Sequence, residues 1–266
     1  MNPLVSIAEP AIPTLVDTHC HLDFPPLIDQ LPALLDRAGR VGVRSYVVPG
    51  VSAAGWPRIA ACAKEYPAVL PAFGLHPMHA ADCSGQMLSD LDGFLPQAAA
   101  VGEIGLDYLL PDTDRELQRE AFRGQLRLAV AAGLPVLIHC RRAFRDLLTI
   151  LREERVERIG GIMHAFSGSV EVARDCIRIG LLISVAGSVT YHNAVRPLAL
   201  VHDLPLESLV LETDAPDMSP EPWRGRDNEP AFMVETARAV AAIKGVDLAT
   251  VATVTTRNAL RLFRQQ

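Results

Sequence analysis

The sequence predicts an α/β protein, a closed TIM-type (β/α)8 barrel in a single domain. Three observations predict it. The chain has 266 residues, 49% of them hydrophobic and 21% charged, which is globular composition with length for one sizeable core. Eight short apolar runs recur at crossover spacing, with helical patterns between them. Side chains able to ligate metals gather where those runs end.

The runs, in order, are Leu15–His19, Arg44–Val48, Val69–Phe73, Ala99–Ile104, Pro135–His139, Gly160–His164, Leu181–Val185 and Ser208–Glu212. Several, such as Val136-Leu137-Ile138 and Leu209-Val210-Leu211, are apolar throughout, as expected of parallel strands covered on both faces. Their starts lie roughly 20–36 residues apart, room for a crossover helix each time. Glu116–Ala132, Phe144–Glu153 and Met233–Ile243 carry helical apolar spacing. Eight such alternations suit a closed barrel; an open doubly wound sheet is the competing arrangement. The stretch Ala215–Pro230, with its prolines and glycine, reads as a long loop after strand eight. No linker or repeat marks a second domain, so residues 15–266 are expected to form the barrel and residues 1–14 a lead-in.

Composition narrows the setting. Residues 1–14 hold no Lys or Arg and three prolines, which is no secretory signal. No apolar run approaches the roughly 20 residues of a membrane span, so no membrane partner is expected. Five scattered cysteines without a CxxC pair suit reduced thiols. A cytoplasmic, monomeric protein is the expectation. The formal charge of −6 gives no sign of the basic surface that grips long duplex DNA.

In a barrel, chemistry sits at the carboxyl ends of the strands. Strand one ends in Asp17-Thr18-His19-Cys20-His21, strand four in Glu103 through Asp107, strand five in His139, strand six in His164, and strand eight in Glu212-Thr213-Asp214. Strand three runs into His76 and His79. Alternation turns His19 and His21 to one side and Cys20 to the other, and Cys140 likewise faces away from His139. Any one of these residues is explained by packing, a turn or a cap. Together, only a barrel brings strands one, four, five, six and eight to one mouth. Four imidazoles (His19, His21, His139, His164) and two carboxylates (Glu103, Asp214) exceed what one tetrahedral zinc requires. They suit two divalent cations, with zinc, manganese or magnesium as candidates. Such ions would make the mouth locally positive on an acidic protein, so short phosphate-bearing ends could be captured without a basic surface.

The strings Asp17-Thr18-His19-Cys20-His21-Leu22-Asp23, Gly102-Glu103-Ile104-Gly105-Leu106-Asp107-Tyr108, Pro135-Val136 through His139-Cys140-Arg141, His164-Ala165-Phe166-Ser167-Gly168 and Glu212-Thr213-Asp214-Ala215-Pro216 occur in that order. Arg224-Gly225-Arg226-Asp227-Asn228-Glu229-Pro230 comes after them. This series resembles the TatD-type metal-dependent deoxyribonucleases of the amidohydrolase superfamily, in a YjjV-like branch judged by Ala215-Pro216-Asp217-Met218. The resemblance implies a barrel hydrolase acting on phosphodiester bonds. It implies one metal on His19, His21 and Asp214, and a second on His139 and His164 with Glu103 bridging. It places His76 in the substrate pocket, shaped by Arg141 and Asn228. Two departures from the family pattern remove potential phosphate contacts: Asp227 stands where many relatives have a basic residue, and His76-Pro77-Met78 replaces the usual HPH.

The mechanism so implied is attack by a metal-activated water, with Asp214 as general base and Glu103 joining the ions. The expected activity is a 3′–5′ exodeoxyribonuclease or DNA-end-processing enzyme on DNA ends, short oligonucleotides or a small phosphodiester. The alternative is an amidohydrolase-type hydrolase of a small amide, ester or nucleobase; many of those enzymes bridge their metals with a carboxylated lysine, where this chain has Glu103. A binding or scaffold protein that kept the fold is a third possibility, and the full ligand set argues against it. Arg115, Arg119, Arg123 and Arg127, four apart on a predicted helix, are expected to form a salt-bridged face. Asp17 and Asp23 are expected either to orient the first histidine pair or to cap turns.

Overall fold

A computed structural model describes residues 13–263. Eight parallel strands stand in sequential order: β1 (Leu15–Asp17), β2 (Val43–Pro49), β3 (Val69–Phe73), β4 (Ala100–Asp107), β5 (Val136–Arg141), β6 (Gly161–Met163), β7 (Leu181–Val185) and β8 (Leu209–Leu211). The ring is joined between its last and first strands at the carboxyl end, where Thr18 N–H donates to Leu211 O (3.1 Å) and Asp214 N–H to His19 O (2.9 Å). This is the single-domain (β/α)8 barrel the strand spacing predicts. Most of the expected lead-in, residues 1–12, lies outside the described residues. Thr14 is tied in, its carbonyl accepting from Thr256 Oγ1 at 2.7 Å.

Helices α1 (Leu31–Arg40), α2 (Trp56–Glu65), α3 (Gly85–Phe94), α4 (Arg115–Ala132), α5 (Phe144–Glu153), α6 (Val170–Arg178), α7 (Arg196–Asp203), α8 (Met233–Lys244) and α9 (Leu248–Phe263) surround the sheet. Among the described residues, no single helix is long and apolar enough to cross a membrane. Two apolar layers result. The outer one lies between helices and strands and includes Cys20, Leu106, Phe122, Leu126 and Cys140. The inner one fills the barrel with Val16, Val47, Ala72, Ala100, Leu137, Ile162 and Val210. Ala259, Leu262 and Phe263 of α9 join it and close the amino-terminal end.

Several strands stop short of the expected ends. β1 ends at Asp17, β6 at Met163 and β8 at Leu211, so His19, His164, Glu212 and Asp214 lie beyond the ladder. The backbone turns sharply there: Ala165 and Asp214 take φ of 39° and 59°, conformations that leave a strand. β4 runs longer than expected and carries a register shift between Val101 and Ile104. That shift brings Glu103 into the mouth although it sits three residues after the inward Ala100. Gly102 is required at this point, because a Cβ would lie 2.6 Å from Leu137 Cβ. Gly105 takes φ +147° and a Cβ there would meet His139 O at 2.0 Å.

The arginine series of α4 forms the salt-bridged face expected of it, though its partners come chiefly from α5 and the residue after it. Arg119 pairs with Glu116 and Asp146, Arg123 with Glu153 and Glu154, and Arg127 with Glu154. Arg115 instead lies over the Tyr108 ring, 4.6 Å from its centroid.

Candidate metal centre

The strand ends converge on Glu103, which is 3% exposed. Its two oxygens face different partners. Oε2 lies 3.4 Å from His19 Nε2 and 4.0 Å from His21 Nε2. Oε1 lies 2.9 Å from His139 Nδ1 and 3.8 Å from both His164 Nε2 and His76 Nε2. Asp214 Oδ1 closes the other side, 3.6 Å from His164, 3.7 Å from His21 and 3.9 Å from His19. All six side chains expected to hold metal are therefore brought together, and three compact groups result: His19–His21–Asp214, His19–Glu103–His164 and His76–Glu103–His139.

The donor set fits divalent cations. His19 is fully buried, yet neither ring nitrogen has a hydrogen-bond partner among the described residues. Burying such a group unpartnered is costly, and a cation facing Nε2 would satisfy it. A nitrogen-rich set with carboxylates suits transition metals better than calcium.

Electrostatics within the cluster are divided. Burial pushes His19 down to about 4 and lowers His21, so both imidazoles are neutral and free to ligate. Burial opposes ionisation of Glu103, but the surrounding imidazoles hold it well below the usual carboxylate range. Asp214 is pushed up to about 7 by burial, helped by the nearby carboxylates of Glu212 and Glu103 against the pull of His164. Burial works against the charge on His164, but Glu212, Asp214 and Glu103 overcome it and raise the ring to about 10.

His76 is equally close to Glu103 but differs in tautomer. Its Nδ1 accepts the Met78 N–H at 3.1 Å, and burial lowers its pKa to about 4. The neutral ring therefore carries its proton on Nε2, which faces the cluster as a donor rather than as a lone pair. The ring lines the cavity, in the pocket where the resemblance places it.

A cavity of about 600 Å³ opens over the cluster, lined by His21, His76, His139, His164, Glu103 and Asp214 and walled by Met78, Leu110, Phe166 and Met218. Arg141 and Arg196 lie on its rim. Arg141 is thus where a substrate contact is expected, while Arg196 is a rim residue that sequence reasoning misses; it opens α7, far in sequence from any ligand motif. Asn228 does not meet the cavity directly. It is fully buried and is not among the residues that line the cavity. Its amide donates to Thr213 O (2.8 Å) and Asp217 O (2.7 Å) and accepts from Glu229 N–H (3.0 Å), so it braces the loop after β8, whose Asp217 and Met218 line the cavity.

The flanking aspartates serve backbone and charge. Asp17 accepts from Thr213 N–H and Oγ1 and from His19 N–H, which ties β1 to the end of β8; burial raises it to about 7. Asp23 pairs with Arg58 at 2.9 Å. The carboxylates that do back an imidazole are ones sequence reasoning leaves without a role: Asp107 Oδ2 lies 3.0 Å from His139 Nε2, and Glu212 Oε1 lies 3.1 Å from His164 Nδ1. Cys20 points away as expected, its Sγ 3.7 Å from Val47 O.

A parallel barrel with a ring of imidazoles and carboxylates at its carboxyl end defines a protein of the metal-dependent barrel hydrolase class. Comparison with known proteins gives the family. The model described as TatD related DNase matches residues 16–264, and the chain belongs to the TatD family. It is 38% identical over 252 residues to YabD of Bacillus subtilis, an uncharacterized metal-dependent hydrolase, covering 94% of this chain and 99% of that one. The crystal structure of YjjV, a TatD homologue from Escherichia coli, superposes with a TM-score of 0.89 at 35% identity, covering 95% of this chain and 98% of that one. At 14% identity and a TM-score of 0.64, a 5-methylcytosine deaminase from Klebsiella pneumoniae shares the fold alone.

Proposed function

We propose that this chain is a metal-dependent phosphodiesterase that shortens DNA or short oligonucleotides from the 3′ end, using two divalent cations. The observation that carries the reading is the division of Glu103, with Oε2 toward His19 and His21 and Oε1 toward His139 and His164. One carboxylate so placed would serve two binding positions, with His19, His21 and Asp214 holding one cation and His139 and His164 the other; zinc, manganese and magnesium are the candidate ions. When bound, such ions lower the pKa of a coordinated water toward neutrality and polarise a phosphoryl oxygen.

The chain's own residues supply the rest. Asp214, whose Oδ1 lies among His19, His21 and His164, is the carboxylate placed to take a proton from an attacking water. His76 offers its Nε2–H to a phosphoryl oxygen. Arg141 and Arg196 on the rim offer charged donors to a neighbouring phosphate. The walls of Met78, Leu110, Phe166 and Met218 exclude water and accept the apolar face of a base. A cavity of about 600 Å³ takes a chain end rather than an intact duplex, in keeping with the formal charge of −6.

The test is turnover of a 3′-labelled single-stranded oligonucleotide with Mg²⁺, Mn²⁺ or Zn²⁺, with EDTA, and with Asp214→Asn. Metal-dependent shortening from the labelled end, abolished by EDTA and by the variant, is the expected result. Cleavage of bis-p-nitrophenyl phosphate without any shortening of the oligonucleotide would move the substrate to a small phosphodiester. Cleavage of neither would contradict the reading.

A further inference from the structure

Helix α4 carries two glutamines on its buried face, Gln118 and Gln125, which are 0% and 1% exposed. They are seven residues apart, two helical turns, and so lie one above the other. Each uses both halves of its amide on one main-chain unit. Gln118 Oε1 accepts the Asp107 N–H at 2.8 Å, and its Nε2 donates to Asp107 O at 2.9 Å. Gln125 Oε1 accepts the Leu75 N–H at 2.6 Å, and its Nε2 donates to Leu75 O at 3.1 Å.

Both clamped residues sit where the sheet ceases to support the backbone. β3 ends at Phe73 and its pairing with β4 covers only Ala72–Ala100 and Phe73–Val101. The edge of β4 facing β3 is therefore without a strand partner by Asp107, and Leu75 has already left the ladder. A buried main-chain N–H or C=O needs a partner, and the two amides take the place of the missing strand. Each clamp holds a piece of the candidate centre. Asp107 accepts from His139 Nε2 at 3.0 Å and from the Leu109 N–H at 2.9 Å. Leu75 directly precedes His76.

We infer that Gln118 and Gln125 are positioning residues: Gln118 sets His139 through the Asp107 carboxylate, and Gln125 sets His76 through the Leu75 backbone. This rests on the two-cation reading of the centre. The two glutamines act on different steps. Gln118 governs cation binding, because a carboxylate that fixes a ligand imidazole typically contributes 10–100-fold in metal affinity. Gln125 governs substrate binding, because His76 presents a donor and not a lone pair.

The test replaces each amide with a side chain of similar length and no hydrogen-bonding head, Gln118→Met and Gln125→Met. Mn²⁺ affinity and stoichiometry are read by calorimetry, and KM on the oligonucleotide. Gln118→Met is expected to weaken one of the two Mn²⁺ sites at least 10-fold and leave KM nearly unchanged. Gln125→Met is expected to raise KM several-fold and leave both Mn²⁺ sites as in wild type. Asp107→Asn keeps the clamp but weakens the contact with His139. It is expected to reproduce the Mn²⁺ defect of Gln118→Met, and it serves in its place should that variant not fold. Variants that melt at lower temperature yet keep wild-type Mn²⁺ binding and KM would overturn the inference, as would identical defects in both. Wild-type protein that takes up no Mn²⁺ would overturn the two-cation reading itself.

Discussion

Replacing Glu103 with alanine removes the carboxylate that faces both imidazole groups, at 3.4 Å from His19 on one side and 2.9 Å from His139 on the other. Glu103→Ala is expected to lower turnover by about 10²–10³-fold or more, the scale of losing one well-placed electrostatic contact in a transition state. It should also lower the number of cations retained after dialysis; wild-type turnover in this variant would contradict the bridging role. At this scale much of the centre is legible in the sequence, because imidazoles and carboxylates at strand ends have few other reasons to recur. The supporting residues are not. Asp107 is visible in its motif, but only the fold brings His139 to its Oδ2. Gln118 and Gln125 are uncharged polar residues in a helix and read as surface positions until their burial is seen. Asn228 is a related case: a polar residue in a loop near a site suggests substrate, and its amide serves the backbone of that loop.

Strands are legible where apolar runs are dense. Val136, Leu137 and Ile138 pack on alternate faces of one strand, with Leu137 in the barrel interior and its neighbours in the outer layer. Strand ends are less legible, because they are set by turns such as those at Ala165 and Asp214 and not by composition. The register shift that brings in Glu103 has no periodic signal at all. Helix α9 escapes the strand-and-crossover pattern because it comes after the eighth strand-and-helix unit. It nevertheless closes the barrel floor with Leu262 and Phe263. Leu262→Ala is expected to cost about 2–5 kcal/mol, as for other buried leucines, measured by denaturant unfolding. Since this floor lies at the opposite end from the histidines, kcat at temperatures well below melting should stay at the wild-type value. A loss of kcat in folded protein would show that the two ends are coupled.

Across the whole molecule, the cation-free protein carries a pH dependence set by the buried acids and His164. Asp17 and Asp214 are raised to about 7 and His164 to about 10. Each binds a proton more tightly folded than unfolded, so its contribution to stability is full at low pH and is lost as pH rises through the folded value. The groups held low, among them His19 and His76 at about 4, act at lower pH and are largely spent above pH 7. Thermal scans in EDTA should therefore show the melting temperature falling between pH 7 and pH 9. Added Mn²⁺ should reverse that trend, because ligands must shed protons to bind. A melting temperature that rises over this interval without metal would contradict the assignment of these groups. Two cations held around one carboxylate are the core of the proposed chemistry. The most direct measurement of them is anomalous diffraction from crystals soaked in Mn²⁺ or Zn²⁺. Two peaks flanking Glu103 are expected, one against His19, His21 and Asp214 and one against His139 and His164. A single peak, or peaks away from Glu103, would contradict the two-cation centre.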